Sequence, residues 1–200
     1  MDVSIEQIKE LREATGAGVL DAKKALVAAE GDFDKAVDAL REKGLARAAK
    51  RADREANEGV IEMYSHLGQR VGVMLELNSE TDFVARNEMF QNVAHDIALH
   101  VAAMAPEYLS REEVPQEDLD REIEVLRAQA EKEGKPEHII EKIVAGRLDK
   151  FYKDTVLLEQ PFVKDEEITV QDLINNAISV LGENIILRRY VRYELGEALE

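Results

Sequence analysis

Residues 59–87 constrain the fold of this chain more than any other stretch. Two β-rich runs, Gly59–His66 and Val71–Leu77, are joined by Leu67-Gly68-Gln69-Arg70. Two such runs around a short glycine-containing link read as a hairpin. The second run passes directly into Leu77-Asn78-Ser79-Glu80-Thr81-Asp82-Phe83-Val84-Ala85-Arg86-Asn87, where helical character begins within a few residues. A hairpin that feeds a helix commits the chain to a sheet with a helix covering one face. At the corner a carboxylate and a large aromatic, Asp82 and Phe83, stand side by side. The residues alone leave two readings of them open. Ser79 and Asp82 have capping-box spacing, and Phe83 lies seven residues before Phe90, so an uninterrupted helix buries both rings on one stripe. Alternatively, the strand-to-helix corner points Asp82 and Phe83 away from the fold as a charged wedge.

The remaining pattern fits the same plan. A third strand is expected over Ile185–Glu194, where Arg188, Tyr190, Arg192 and Glu194 alternate with Leu187, Arg189, Val191 and Tyr193. Phe90, Val93, Ala94, Ile97, Val101 and Met104 mark one helix, ended by Pro106. Thr169 with Asp172 opens another, which buries Leu173, Ile174, Ala177, Ile178 and Leu181 before Gly182. A small antiparallel sheet packed with helices is an α+β arrangement. Between these elements lies a helical hairpin at about 117–152. Leu119, Ile123, Leu126 and Ala130 form a coiled-coil-like seam, Gly134-Lys135-Pro136 turns the chain, and Ile140, Ile143, Val144, Leu148 and Phe151 line the return. A two-helix projection of this kind leaves apolar surface uncovered. Either it docks on its own sheet domain or a second copy covers it as a homodimer.

Residues 1–44 read as three short helices forming a bundle of the ubiquitin-associated type. Ser4 with Gln7 makes a capping box ahead of Ile5, Ile8 and Leu11. Thr15-Gly16-Ala17-Gly18 is a turn. The second helix carries Leu20, Ala25, Leu26 and Ala29 and stops at Gly31; Asp32 caps the third, which buries Phe33, Ala36, Val37 and Leu40 before Gly44 ends it. A basic linker helix, 45–58, follows, and the α+β core takes 59–200. Arg47, Lys50, Arg51 and Arg54 of the linker are either solvated or set to touch an acidic partner.

Composition removes several functions. A net charge of −16 argues against nucleic-acid binding, which needs surplus Lys and Arg. The chain has no Cys, so disulfides and thiolate metal sites are out. No signal pattern or membrane-length apolar run is seen, and a cytoplasmic location is expected. Gly16-Ala17-Gly18 follows a helix, unlike a phosphate loop, and is read as a helix–helix turn. Lys23 and Lys24 beyond it are solvated or contact a partner. His95 and His100 are about 140° apart on a helix and share no metal. No nucleophile–base pairing is legible, so no enzyme, catalytic residue or cofactor is expected.

Leu11-Arg12-Glu13-Ala14-Thr15-Gly16-Ala17-Gly18, continued by Asp21-Ala22-Lys23-Lys24-Ala25-Leu26, and Glu76-Leu77-Asn78-Ser79-Glu80-Thr81-Asp82-Phe83-Val84 resemble two signatures of one family. That family is translation elongation factor Ts, the nucleotide exchange factor for the GTPase elongation factor Tu. Residues 97–103, Gln160-Pro161-Phe162-Val163 and residues 191–197 resemble further family segments in the expected order. Ala22 and Ser79 stand where many members have cysteine, and the single core resembles the compact members. The resemblance implies that Thr81, Asp82, Phe83 and Val84 insert beside the magnesium site of elongation factor Tu and dislodge the metal. It also implies partner contacts at Arg12, Thr15, Gly16, Gly18, Lys23, Lys24 and His100, and it reverses the buried reading of Phe83. Elongation factor Tu, GDP-bound or nucleotide-free, is then the partner, without membrane or direct nucleic acid. The rival readings are a ubiquitin-associated-type binding scaffold without exchange activity and a small enzyme whose site only tertiary structure assembles.

Overall fold

Ser4 starts the first helix: its Oγ accepts from the Gln7 N–H at 3.1 Å, and Gln7 Oε1 accepts from the Ser4 N–H at 3.0 Å. This reciprocal pair satisfies two donors that a helix N-terminus leaves open. In the computed structural model, which describes residues 3–198, α1 spans Ile5–Thr15 and ends on Gly16 with a left-handed φ of 66°. Then come α2 (Val19–Ala28) and α3 (Phe33–Ala49), the latter opened by Asp32, which accepts from the Lys35 N–H at 3.1 Å. Leu11, Ala22, Ala25, Leu26 and Ala36 are buried together, ringed by Val3, Ile8, Ala29, Phe33, Val37 and Leu40. Small side chains at three of those centres let the short helices approach closely. Ile5 and Leu20, expected on packed faces, are instead 79% and 71% exposed.

The third helix does not stop at Gly44. It runs on to Ala49, and the chain turns at 50–53 before the first strand, so the helical part of the expected linker is an extension of α3. Gly44 is helical and buried because Ser179 lies against it; an added Cβ would stand 3.5 Å from the serine Cβ. Nor are the basic side chains here simply solvated. Arg47 pairs with Asp21 at 2.9 Å, Arg51 Nε donates to the Gly182 carbonyl at 2.9 Å, and Arg54 reaches Glu80 at 3.4 Å.

Beyond the turn the chain forms β1 (Glu58–Ser65), β2 (Val71–Ser79), α4 (Asp82–Ala85), α5 (Glu88–Met104), α6 (Gln116–Lys132), α7 (Glu137–Thr155), β3 (Pro161–Phe162), β4 (Asp165–Thr169), α8 (Val170–Leu181) and β5 (Ile185–Glu194). The expected α+β architecture is present, with a three-stranded sheet in the order β1-β2-β5. β5 is antiparallel to β2: the Leu195 N–H meets the Arg70 carbonyl at 2.7 Å, while the Asn184 N–H meets the Glu80 carboxylate at 2.6 Å near the other end. The small antiparallel pair β3-β4 was not anticipated, since a two-residue strand beginning with proline carries no periodicity.

Two compact units divide the chain. The first comprises the chain up to Tyr64, Met74–Ala98 and Asp172–Val191; the second, Ser65–Val73, Leu99–Gln171 and the chain from Arg192. In the first, Leu75, Leu77, Ile185 and Leu187 are buried from the sheet, as are Phe90, Val93, Ala94 and Ile97 of α5 and Ile174, Ala177 and Ile178 of α8. The alternate strand positions Ile61, Met63, Met74 and Ile186 are exposed, as the two-residue strand period requires of a sheet covered on one face. In the second unit α6 and α7 close on each other: Leu126, Ala130, Ile140 and Val144 are buried together with Ile123, Ile143 and Leu148 around them. The seam expected to stay uncovered is thus internal to the hairpin, and among its described residues Val125 is the large apolar side chain left exposed.

Two glycines give opposite expectations. At Gly44 an added methyl meets only ordinary contacts, so Gly44→Ala should stabilise by about 0.5–1 kcal/mol through helix propensity. Gly59 has φ 147°, and a Cβ there would lie 2.1 Å from the Leu77 carbonyl oxygen. Gly59→Ala should therefore cost about 2–3 kcal/mol. Urea unfolding of both variants checks the signs; a destabilised Gly44→Ala would mean that the helix does not tolerate its neighbour.

Candidate functional site at the strand-to-helix corner

β2 continues two residues past Leu77. Ser79, wholly buried, belongs to the strand, and its Oγ donates to the Thr81 carbonyl at 2.9 Å. Thr81, not Ser79, is therefore the cap: its backbone is extended and its Oγ1 accepts from the Val84 N–H at 3.4 Å. The resulting helix, α4, lasts a single turn. Asn87 then accepts from the Met89 N–H through Oδ1 at 2.9 Å, just before α5 starts at Glu88. This restart breaks the seven-residue relation between the two phenylalanines. Phe90 is fully buried, whereas Phe83 is 80% exposed. Val84 and Ala85 face inward from the same turn. Asp82 is also exposed and pairs with Arg86 at 2.7 Å. Of the four residues expected at the corner, Thr81, Asp82 and Phe83 are exposed and Val84 is buried; Thr81, by its hydrogen bonds, and Val84, by its packing, hold the turn in place.

The corner is fastened to the turn that precedes β5. Glu183 accepts from the Thr81 N–H at 3.0 Å and from the Thr81 hydroxyl at 2.7 Å. Glu80 returns the gesture by accepting from the Asn184 N–H at 2.6 Å. The buried Asn184 amide then donates to the carbonyls of Ala52 and Arg54 at 3.3 and 2.8 Å. Sequence reasoning missed Glu183 and Asn184, because nothing at residue 183 signals a partner a hundred positions away.

The α1–α2 turn holds the second group of expected residues. Thr15 Oγ1 donates to the Leu11 carbonyl at 2.6 Å and accepts from the Ala17 N–H at 3.3 Å, and Arg12 Nε donates to the Ala17 carbonyl at 3.3 Å. Gly16 supplies the left-handed cap and Gly18 opens α2, on which Lys23 and Lys24 are exposed. Val19 and Leu20 are exposed beside them. Leu20 is expected alongside Ala25, Leu26 and Ala29, but it sits two residues from Ala22, and that spacing places it away from the buried stripe.

Comparison with known proteins gives the family. The family model described as Elongation factor TS matches residues 4–197. The chain belongs to the elongation factor Ts family. The elongation factor Ts of Acetivibrio thermocellus is 57% identical over 198 residues, 99% of this chain and 92% of its own length. That of Moorella thermoacetica is 57% identical over 197 residues, 98% and 97% of the two chains, and that of Caldanaerobacter subterraneus subsp. tengcongensis is 56% identical over 198 residues, 99% of each. A role in translation elongation follows from that membership.

One residue that the family resemblance suggested as a partner contact, His100, is not on the surface. It is fully buried in the second unit. Its Nδ1 accepts from the Val163 N–H at 3.1 Å, which leaves the proton on Nε2 to be donated to Gln160 Oε1 at 2.9 Å. Gln160 in turn donates to the Asp154 carbonyl at 2.8 Å. The ring therefore fixes Gln160-Pro161-Phe162-Val163, and a protonated ring would set N–H against N–H. Burial holds the His100 pKa below the ordinary histidine value, against a smaller upward pull from Gln160.

Because the folded-state value is depressed, the unfolded chain binds the proton first as pH falls below about 6.5. The contribution of neutral His100 is complete above that pH and is lost on going down towards the folded value. Urea midpoints at pH 7.5 and 5.5 should fall further for the unmodified protein than for His100→Gln. Equal losses in both proteins would assign the acid sensitivity elsewhere.

Proposed function

We propose that this chain is a guanine-nucleotide exchange factor that acts in the cytoplasm on the GTPase elongation factor Tu. The observation that carries the reading is the exposure of Phe83 on a one-turn corner, with Val84 and Ala85 buried on one side and Thr81 hydrogen-bonded to Glu183 on the other. GDP in such a GTPase is held by Mg²⁺ and by backbone N–H groups around the phosphates. Phe83 enters between elements beside that site, and Asp82 places negative charge near the waters that hydrate the metal. Neither residue makes or breaks a bond, so exchange by this route asks for no catalytic residue and no cofactor of the chain's own.

Linkage turns this intrusion into exchange. If the factor weakens GDP binding, GDP weakens factor binding by the same ratio. Each loss of about 1.4 kcal/mol lowers nucleotide affinity tenfold, so a few disturbed contacts release it. The α1–α2 turn supplies grip, through Arg12, Thr15, Gly16, Gly18, Lys23 and Lys24 together with the exposed Val19 and Leu20. A binding scaffold without exchange activity would bind the GTPase and leave its GDP release rate unchanged.

Release of labelled GDP from elongation factor Tu separates the two. Phe83→Ala should slow the stimulated release at least tenfold. Its stability should change by about 0.5 kcal/mol or less, as for a surface position, instead of the roughly 3–5 kcal/mol lost on truncating a core phenylalanine. Unimpaired release by a folded Phe83→Ala protein would remove Phe83 from the mechanism.

The homodimer belongs to the same proposal, with its interface moved from the closed hairpin to the open sheet face. Ile61, Met63, Met74 and Ile186 give that face an apolar centre. Sedimentation across micromolar concentrations should show a dimer that Met63→Glu dissociates into a folded monomer, with an unfolding midpoint that no longer depends on protein concentration. A strict monomer at tens of micromolar would dismiss it.

A further inference from the structure

The corner that carries Phe83 cannot hold itself. A single helical turn is below the length at which helix propagation repays nucleation, and Phe83, with four fifths of its surface in solvent, has little packing to restore its direction once disturbed. Its orientation has to come through the main chain on either side. On the C-terminal side the buried Val84 and Ala85 anchor the turn. On the N-terminal side the buried Ser79 holds the Thr81 carbonyl, and both donors of Thr81 go to one carboxylate.

We propose that Glu183 is a positioning residue for nucleotide exchange, setting the angle at which Asp82 and Phe83 leave the fold. It takes both donors of Thr81, the N–H at 3.0 Å and the hydroxyl at 2.7 Å. Since the hydroxyl has one hydrogen and Glu183 accepts it, the oxygen lone pairs are left to receive the Val84 N–H at 3.4 Å. The carboxylate thus fixes both the Thr81 backbone and the rotamer that caps α4. With Glu183 removed, two donors beside the wedge turn to water and the cap loses its preferred orientation.

Glu183 is itself held. Gly182, with φ 81°, ends α8 in the left-handed conformation, and its carbonyl accepts from Arg51 Nε at 2.9 Å. Asn184, next in the chain, donates its N–H to Glu80 at 2.6 Å. Glu80 and Thr81 are therefore each tied to one residue of the 183–184 pair, with side chain and main chain exchanging roles between the two ties. Charge-assisted bonds of this kind are stronger and more directional than neutral ones.

This inference rests on the exchange reading above, and the test separates the two. Four proteins are compared in GDP release from elongation factor Tu: unmodified, Glu183→Ala, Phe83→Ala and the double variant. Glu183→Ala should lower the maximal release rate about tenfold while the half-saturating concentration shifts less than threefold. In the Phe83→Ala background the same change should slow release less than twofold further, because a residue acting through Phe83 has nothing left to position. Full multiplication of the two losses, or a Glu183→Ala rate within twofold of the unmodified protein, would overturn the proposal. Thr81→Val, which removes the hydroxyl from the other side of the pair, should reproduce the pattern and serves if Glu183→Ala folds poorly. Hydrogen exchange on the free protein supplies a readout that does not depend on activity. Amides 81–86 should exchange at least tenfold faster in Glu183→Ala, with those of α8 unchanged; unaltered protection at 81–86 would refute positioning whatever the release rates. If Phe83→Ala alone releases GDP normally, the exchange reading fails, and the hydrogen-exchange result still decides the role of Glu183.

Discussion

A strand that ends at a corner leaves backbone donors and acceptors that no neighbouring strand can satisfy, and unpaired buried groups are costly. At the end of β2 this need is met by two carboxylates where the β5 pairing stops: Glu183 accepts from the Thr81 N–H, and Glu80 accepts from the Asn184 N–H. The rest of the first unit is arranged around that solution. The chain at 52–54 must pass close enough to give its carbonyls to Asn184. Gly59 must be glycine so that β1 can approach the Leu77 carbonyl. The α8 helix must stop on Gly182 so that the next two residues reach the corner.

The charge distribution follows a related logic. The protein carries a net −16, yet the basic side chains from Arg41 to Arg54 largely serve its own acceptors. Arg41 meets Asp172 at 2.6 Å, and Asp21 is shared by Lys43 and Arg47. The hydrogen bond from Lys43, with Arg47 assisting, holds the Asp21 carboxyl below its ordinary pKa. Positive charge committed in this way adds little to attraction for phosphate-rich polymers.

Long, regular features were legible from the residues. The α+β class, strands over 71–77 and 185–194, most of the buried faces of α5 and α8 (Met104 is exposed) and the Ser4 and Asp32 caps all follow from periodicity and capping chemistry. What escaped depends on single residues or on distant partners. Asn87 restarts a helix that periodicity alone carries straight through, and this one cap decides whether Phe83 is core or surface. Gly44 resembles a helix stop until a tertiary neighbour fits against it. His100 stands seven residues after Val93 and three after Ile97, on the apolar stripe of α5, so its spacing was the local sign of burial; its hydrogen-bond partners, sixty residues later, gave none. The corner was found because strand, turn and helix signals meet there, but its orientation is held by residues that only the fold brings near.

The pairing of Glu80 with Asn184 and of Thr81 with Glu183 also acts as a ruler. Two consecutive positions are indexed one to one against two others, and Ser79 before them and Val84 after them are buried. One inserted residue between 79 and 84 would leave both partners addressing the wrong neighbour and would rotate the ring at 83 out of its exit direction. At the α6–α7 tip the backbone ties are local: the Gly134 and Lys135 N–H groups close back on the Glu131 and Ala130 carbonyls of α6, and Gly134-Lys135-Pro136 itself is exposed. Changes of length are thus cheap at that tip and prohibitive at the corner, and the two places set very different limits on how this chain can vary.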